Sequence, residues 1–524
     1  MGNAMNLGRL LSDVARRLPD RPALVWREDV WTWAETDRRV GALVAALRKL
    51  GIAKGDRVML HAQNSNAFVE IMWAVFRIGA VWVPNNVRLT APEVAGLAET
   101  CRPKAMIYGP GFGAQADAAV AAGATVAIAL GEPRTGERAY EGLLAAHAGA
   151  ETWEEEVDRG DPLWFFFTSG TTGRPKAAVL THGQMAFVVV NHIADLMPGL
   201  SASDASLVLA PLSHGAGVHY LVNAARGAKT VLLPTDRFDP AEAWRLVAAH
   251  RVTNMFTVPT IVKLLVEHPA VDEHDHGSLR WVIYAGAPMY REDQRLALRK
   301  LGNVLVQYYG LGEVTGAITV LPADMHSEDD AAMRVGSCGY ARTGMEIAIL
   351  DPEGRRLGPD GTGEICARGP AVFAGYHGNP QATATALRDG WFHTGDLGYL
   401  DAEGFLYITG RASDMYISGG ANVYPRDAEE VLLQHPAVAE VAVLGVPDPK
   451  WGESGVAVVV TAEGAEADGD ALLAWMDGRL ARYKWPRRFF FWDALPKSGY
   501  GKIPKHLIRQ TLFERRDLKE GEPV

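Results

Sequence analysis

Cysteine is scarce in this 524-residue chain, which holds only Cys101, Cys338 and Cys366. An odd set of three without metal-ligand spacing excludes a disulfide scaffold and a zinc ribbon, and fits free thiols in a reducing compartment. Positive charge is also short. With 52 Lys and Arg against 62 Asp and Glu the formal charge is −10, so no cation excess is available to neutralise a nucleic-acid backbone. A small anion held in a local basic pocket stays compatible with that balance. Membrane-length apolar runs are missing as well: the charge-free stretch between Asp204 and Arg226 is interrupted by Pro211, His214, Gly215, Gly217, His219 and Asn223 and does not read as a transmembrane segment. Nor do the first residues carry the basic segment, apolar core and small-residue cleavage site of a secretory signal. A cytoplasmic protein without a nucleic-acid partner is the expectation.

What is present is an ordinary globular composition, 48% hydrophobic and 22% charged, on a chain too long for a single core, so at least two domains are expected. Short apolar runs (Val58 to Leu60, Ala105 to Tyr108, Thr230 to Leu233, Trp281 to Tyr284) alternate with amphipathic stretches such as Thr36 to Leu50 and Ala241 to Ala249. That alternation predicts an α/β architecture with largely parallel sheets. After about residue 335 the texture turns β-rich, with tight turns at Asp351-Pro-Glu-Gly354 and Asp401-Ala-Glu-Gly404. A further α/β unit begins after Gly410-Arg-Ala-Ser-Asp414.

Against this background one stretch stands out. Thr168-Ser-Gly-Thr-Thr-Gly-Arg-Pro-Lys176 directly follows the apolar run Leu163 to Phe167. Backbone N–H groups in a glycine-rich turn form an anion nest, hydroxyls add donors and a terminal lysine adds charge, which together suit a polyphosphate. The spacing is not that of a P-loop. Gly109-Pro-Gly-Phe-Gly113 likewise departs from the dinucleotide-binding pattern and reads as a surface loop.

Thr168 to Lys176 resembles the phosphate-loop signature of the adenylate-forming superfamily of acyl-CoA synthetases, peptide-synthetase adenylation domains and luciferases. Tyr284-Ala-Gly-Ala-Pro288 is similar to its adenine-side loop and Gln307-Tyr-Tyr-Gly-Leu-Gly-Glu313 to its Tyr-Gly-x-Thr-Glu element. Trp391-Phe-His-Thr-Gly-Asp396 and Thr409-Gly-Arg-Ala-Ser-Asp414 resemble the ribose site and the interdomain hinge, and Pro496-Lys-Ser-Gly-Tyr-Gly-Lys502 the C-terminal lysine loop. The motifs stand in the family order across most of the chain.

The resemblance implies a large N-terminal domain (1–410) of α/β sheet subdomains plus a small β-barrel-like subdomain, a hinge at 411–414 pivoting on Asp414, and a small mobile C-terminal α/β domain (415–524). It implies ATP or AMP binding by Thr168, Ser169, Gly170, Thr171, Thr172, Gly173, Lys176, Gly286, Ala287, Pro288, Tyr309, Gly310, Asp396 and Arg411, with Glu313 and Thr168 at Mg²⁺. Asp396 and Arg411 suit ribose hydroxyls, and Tyr309 offers a face to a purine. Two departures stand out: Gly312 replaces the family threonine and offers no hydroxyl, and Ala421 replaces the glutamate often found before Asn422.

The implied reaction is two-step: a carboxylate attacks the α-phosphorus of Mg-ATP, then a thiol displaces AMP from the acyl adenylate. Lys502 is the expected catalytic lysine and His214, in Pro211-Leu-Ser-His-Gly-Ala-Gly217, the expected substrate-gating residue. No acidic residue occurs from Ala205 to Thr235, which disfavours amino-acid substrates. Gly217, Val218, Val258 and Ala285, with Ala216 and Thr257, would line an apolar acyl pocket for a fatty or aryl acid. Coenzyme A is the expected thiol, since the chain ends shortly after Lys502. Gly419, Gly420, Tyr483, Trp485 and Arg487 are its candidate contacts. A homodimer is compatible with the sequence. Two alternatives stay open, a luciferase-like oxygenase acting on an adenylate and a non-catalytic nucleotide or acyl-adenylate binding protein.

Overall fold

A computed structural model describes the chain except residues 1–2, 169–174, 236, 288, 412–413, 419–420, 498–503 and 519–524, with backbone alone for 3–4 and 421–422. The chain folds into two compact units: residues 1–289, 293–347 and 367–393 form one, and residues 290–292, 348–366 and 394–524 the other.

Two large sheets organise the first unit, beside a small antiparallel pair of Asn3–Ala4 with Val157–Asp158. In the nine-stranded sheet, Leu305–Tyr309, Trp281–Tyr284, Asn254–Thr257, Ala205–Val208, Lys229–Leu232 and Pro22–Trp26 run parallel side by side. Antiparallel strands finish both edges, Thr319–Leu321 and Tyr340–Ala341 on one side and Asp29–Thr32 on the other. The seven-stranded sheet orders Lys176–Thr181, Pro162–Thr168, Val81–Pro84, Arg57–His61, Ala105–Tyr108, Val126–Ala129 and Arg138–Ala139. The short apolar runs become fully buried four-residue strands such as Ala105–Tyr108 and Trp281–Tyr284, as expected where both faces of a parallel sheet are covered.

The helices obey local signals. Thr32 caps Trp33–Lys49 in a capping box with Glu35, worth about 1 kcal/mol. Asp239 caps Pro240–His250, with proline in its first turn. That helix presses Ala243, Trp244, Leu246 and Val247 into a core shared with Val231, Met255 and Val282. The indole of Trp244 donates to the Leu265 carbonyl at 2.9 Å, so Trp244→Ala would cost about 3–5 kcal/mol by cavity formation plus one orphaned acceptor.

The second unit shows period-two logic. Along the antiparallel pair Val438–Asp448 and Gly452–Thr461, Ala442, Leu444, Val446, Val456 and Val458 join Ile508 and Leu512 of helix Lys505–Glu514. Their neighbours Val441, Val443, Ala457 and Val459 join Ala428, Leu432, Leu472 and Met476 of helices Pro425–Leu433 and Gly469–Met476. Successive side chains point to opposite faces, so one ribbon carries two cores. The turns expected at Gly354 and Gly404 are present, with φ of 78° and 87° and N–H bonds to Asp351 and Asp401 carbonyls at 2.9 and 3.0 Å.

Candidate active site

The glycine-rich stretch joins antiparallel strands Pro162–Thr168 and Lys176–Thr181, whose register pairs Thr168 with Lys176. Ser169, Gly170, Thr171, Thr172 and Gly173 lie outside the described residues, so its two ends define what can be seen. Thr168 Oγ1 donates to Glu313 Oε1 at 3.1 Å, and the Tyr376 hydroxyl donates to the same oxygen at 2.8 Å. Glu313 is buried, and among the described residues no hydrogen bond reaches its Oε2. Lys176 Nζ sits 5.2 Å from the centroid of the Tyr376 ring. Burial and then the neighbouring Glu313 charge push the Tyr376 phenol well above its ordinary range, so it stays a protonated donor.

The sequence does not single out Tyr376, and local pattern offers no signal for it. It reaches the carboxylate because 374–377 pairs along the free edge of Lys176–Thr181: Ala374 N–H donates to Val179 O at 3.0 Å, Val179 N–H to Gly375 O at 2.9 Å and His377 N–H to Ala177 O at 2.9 Å. Glu313 is presented by the short 3-10 turn Gly312–Val314 after strand Leu305–Tyr309. Gly310 allows that turn, since a Cβ there would lie 2.5 Å from the Gly316 backbone. Tyr309, half-buried, ends the strand just before it.

Gly312 now has a physical reason. A Cβ at this position would lie 2.6 and 2.8 Å from Phe166 Cδ1 and Cε1 and 3.1 Å from Thr168 Cγ2. The Phe166 ring fills the space in which a threonine side chain would stand. It also meets the His214 ring edge-on, with centroids 5.4 Å apart. His214 is half-buried, N-caps helix Gly215–Arg226 and has Ser213 Oγ 2.8 Å from its Nδ1. Phe166 is the second residue that sequence reasoning passes over, because it reads simply as one of three strand phenylalanines.

Around that helix start Ala216, Val218 and Ala285 are buried and Val258 half-buried. Phe256 and Tyr308 stack at 5.9 Å with an interplanar angle of 16°, both at the carboxyl ends of their strands. Gly217, a candidate for the acyl-pocket lining, has no room for a side chain. Its Cβ would fall 2.1 Å from the Leu212 carbonyl and 2.9 Å from the Trp164 ring. This glycine serves close packing of the helix on the 211–214 turn. After strand Trp281–Tyr284, Gly286 adopts φ 85° with its Cβ direction 3.8 Å from Val258 Cγ1, Ala287 is exposed, and Pro288 lies outside the described residues.

In the second unit, Asp396 and Arg411 are cross-strand partners in the antiparallel pair Trp391–Leu400 and Leu406–Arg411. The Arg411 guanidinium (Nε) lies 3.1 Å from Asp396 Oδ1, the carboxylate buried and the arginine about half exposed. Thr394 Oγ1 accepts from Asp396 N–H at 3.0 Å and donates to Ile365 O at 2.6 Å, which fixes the strand segment carrying the carboxylate. Asp414 N–H donates to Arg411 O at 3.0 Å. Tyr483 is exposed on the short turn Arg482–Lys484, and Arg487 lies 4.7 Å from the Trp451 ring. The Trp485 indole donates to Leu480 O at 2.8 Å and its partly buried ring packs on the small-unit core. Gly419, Gly420 and Lys502 lie outside the described residues.

Residues 11–377 match the AMP-binding enzyme family and residues 427–502 the AMP-binding enzyme C-terminal domain. The chain is 38% identical over 502 residues to a feruloyl-CoA synthase of an Amycolatopsis species, covering 95% of this chain and 97% of that protein. It is 36% identical to the indoleacetate–CoA ligase of Aromatoleum aromaticum, covering 98% and 100%. Among solved structures, o-succinylbenzoate CoA synthetase from Bacillus subtilis, in complex with its acyl-adenylate intermediate, is similar at a TM-score of 0.85 and 29% identity over the whole of both chains. No described helix is long and apolar enough to cross a membrane.

Proposed function

The chain belongs to the AMP-binding enzyme family, whose CoA-ligase members form an acyl adenylate and AMP, and from that premise we propose that it activates an aryl carboxylic acid and transfers it to coenzyme A. The observation that carries the reading is the buried Glu313 carboxylate, held by Thr168 and Tyr376 at the mouth of the glycine-rich loop. A carboxylate with one oxygen hydrogen-bonded and the other facing no described donor is a fitting ligand for Mg²⁺, which takes one or two carboxylates plus phosphate oxygens. Glu313 would hold the ion, with Thr168 fixing the carboxylate and adding its own oxygen. When bound, the ion neutralises polyphosphate charge.

The chain's own residues supply the rest. Donors of the 168–176 loop bind the phosphates, Tyr309 packs on adenine beside Gly286, Ala287 and Pro288, and Asp396 with Arg411 accepts and donates at the ribose. The acid's carboxylate oxygen bonds to the α-phosphorus as the bond to the pyrophosphate oxygen breaks. Lys502 offsets the two negative charges brought together in that step. The thiol of coenzyme A then attacks the acyl carbon, and AMP leaves with the carboxyl oxygen. Residues 1–410 serve ATP and acid, 411–414 act as hinge, and 415–524 carry Lys502 in and out between the half-reactions.

An aromatic acid is favoured over a long alkyl chain by the rings of Phe166, Phe256 and Tyr308 near His214, and by the aryl substrates named for the relatives at 38% and 36% identity. Relatives named for long-chain fatty acids, at 34% identity, keep the alkyl reading in the test. Residence in the cytoplasm fits three buried cysteines. The Phe166 ring also removes the reason to read Gly312 as the mark of a non-catalytic binder. The deciding experiment is CoA-dependent AMP release across hydroxycinnamic, benzoic, indole-acetic and fatty acids. Turnover on aryl acids at least about tenfold above fatty acids is expected from shape selection. Preference for long alkyl chains would overturn the aryl assignment, and silence with every acid the ligase reading.

A further inference from the structure

The proposed chemistry gathers at the carboxyl ends of the parallel strands, the usual side for ligands in open α/β sheets. At the opposite, amino edge of the nine-stranded sheet lies a second cleft of about 450 Å³. Pro22, Ala205 and Lys229 open three of its strands, while Thr253 and Arg280 immediately precede two more. The lining carries four cations, Arg21, Lys229, Arg251 and Arg280, and one carboxylate, Asp204. Arg280 pairs with Asp204 at 2.9 Å, so three positive charges are left without a carboxylate among the described residues. On a chain of formal charge −10, such a concentration is the reverse of the average surface.

Two of the cations are tethered to backbone carbonyls of residues that also line the cleft. Lys229 is half-buried, its Nζ bonded to the His250 carbonyl at 3.3 Å, and burial draws its ammonium below the ordinary range. The Arg21 guanidinium is tied to Ala202 O at 2.7 Å. Arg251 closes helix Pro240–His250 with φ 49°, a conformation that favours glycine. No Phe, Tyr or Trp lines the cleft, whose aromatic ring is the His250 imidazole. Its volume falls in the range of small-ligand sites, about 300–1,000 Å³.

We propose that this cleft is a second anion site, binding a compact phosphate-bearing polyanion through Lys229, Arg251 and Arg21. Recognition is by charge together with N–H and hydroxyl donors, which suits two or more adjacent phosphate groups rather than an apolar ligand. The phosphates can come from a free polyphosphate or from a lipid headgroup, and the test separates the two.

The whole chain, with its nucleotide site saturated by a non-hydrolysable ATP analogue, is titrated with inorganic pyrophosphate by calorimetry. Wild type is expected to bind with an affinity that falls as salt rises. The pair Lys229→Gln and Arg251→Gln is expected to weaken binding about tenfold or more, with the affinity for the ATP analogue unchanged. Arg251→Gln alone, at an exposed position, guards against misfolding and is expected to show part of the loss. In a second arm, phosphatidylglycerol and phosphatidylcholine vesicles are sedimented with both proteins. Cation-dependent binding to the anionic vesicles only, without a pyrophosphate response, assigns the phosphates to a lipid surface. Responses to pyrophosphate and vesicles that are absent, or the same in wild type and variants, overturn the proposal.

Discussion

Replacing Gly312 by threonine restores the residue type usual in the resembling motif, yet here it is expected to damage the protein. The new Cβ would lie 2.6 Å from Phe166 Cδ1 and 3.1 Å from Thr168 Cγ2, inside the contact distance of carbon pairs. Overpacking of this kind costs about 1–3 kcal/mol. If Thr168 yields, its bond to Glu313 at 3.1 Å is lost as well, for about 1 kcal/mol more. Expressed on the transition state, 1–3 kcal/mol lowers the rate of acid-dependent pyrophosphate exchange by about 5- to 150-fold. Combining Gly312→Thr with Phe166→Ala removes the obstacle, so the double variant should be less impaired than the sum of the singles, with a favourable coupling of about 1 kcal/mol or more. Thermal unfolding and exchange rates measured on the four proteins of the cycle provide the number. Single-variant costs that add to within about 0.5 kcal/mol would refute the claim that Phe166 occupies the missing side chain's place.

Glu313→Gln keeps an acceptor for Thr168 and Tyr376 but loses the charge. Unfolding temperature should change little while the Mg²⁺ needed for half-maximal adenylation rises about tenfold or more, and an unchanged Mg²⁺ titration would remove Glu313 from the metal site. Asp396→Ala strands Arg411 and deletes the ribose acceptor, so KM for ATP should rise about tenfold or more while KM for the acid holds; equal changes in both would point to general misfolding. Lys502→Ala should abolish adenylation yet still convert supplied acyl adenylate and CoA to thioester. Asp414→Pro should do the converse, although it also deletes the N–H donated to Arg411 O at 3.0 Å, and parallel loss of both half-reactions in each variant would defeat domain alternation. Finally, His61, His182 and His219 are buried and neutral, their ring pKa values lowered by burial to about 4, about 4 and about 3. A depressed folded value means the unfolded chain binds the extra protons, so stability is present above pH 6.5 and lost as pH falls through the window down to the folded values. At pH 5.5 each histidine costs about 1.4 kcal/mol. The unfolding temperature should drop between pH 7.5 and 5.5, by less in His219→Gln, and a flat profile in wild type would contradict the assignment.

Local chemistry determined a good deal of this protein. The apolar runs at 105–108 and 281–284 became strands with those bounds, because four consecutive buried side chains suit only a covered parallel strand or a core helix, and their neighbours are turn residues. Thr32 with Glu35 and Asp239 with Pro240 set helix starts through bonds that span three residues or fewer. The order of glycine-rich and acidic motifs was equally legible, since each motif is contiguous. What sequence could not disclose is which distant residues share a site. Tyr376 reaches Glu313 across 63 positions only because the segment around it pairs with the free edge of Lys176–Thr181. Phe166 explains Gly312 from 146 positions away through ring contact, while Gly217 and Trp485 are claimed by packing against Leu212 and the small-unit core. The basic cleft likewise assembles Arg21, Lys229 and Arg280 from the starts of separate strands and Arg251 from a helix end. Periodicity and capping are local and therefore readable. The lateral order of strands, and with it the meeting of side chains from different motifs, is set by burial over the whole fold and exists only in the tertiary structure.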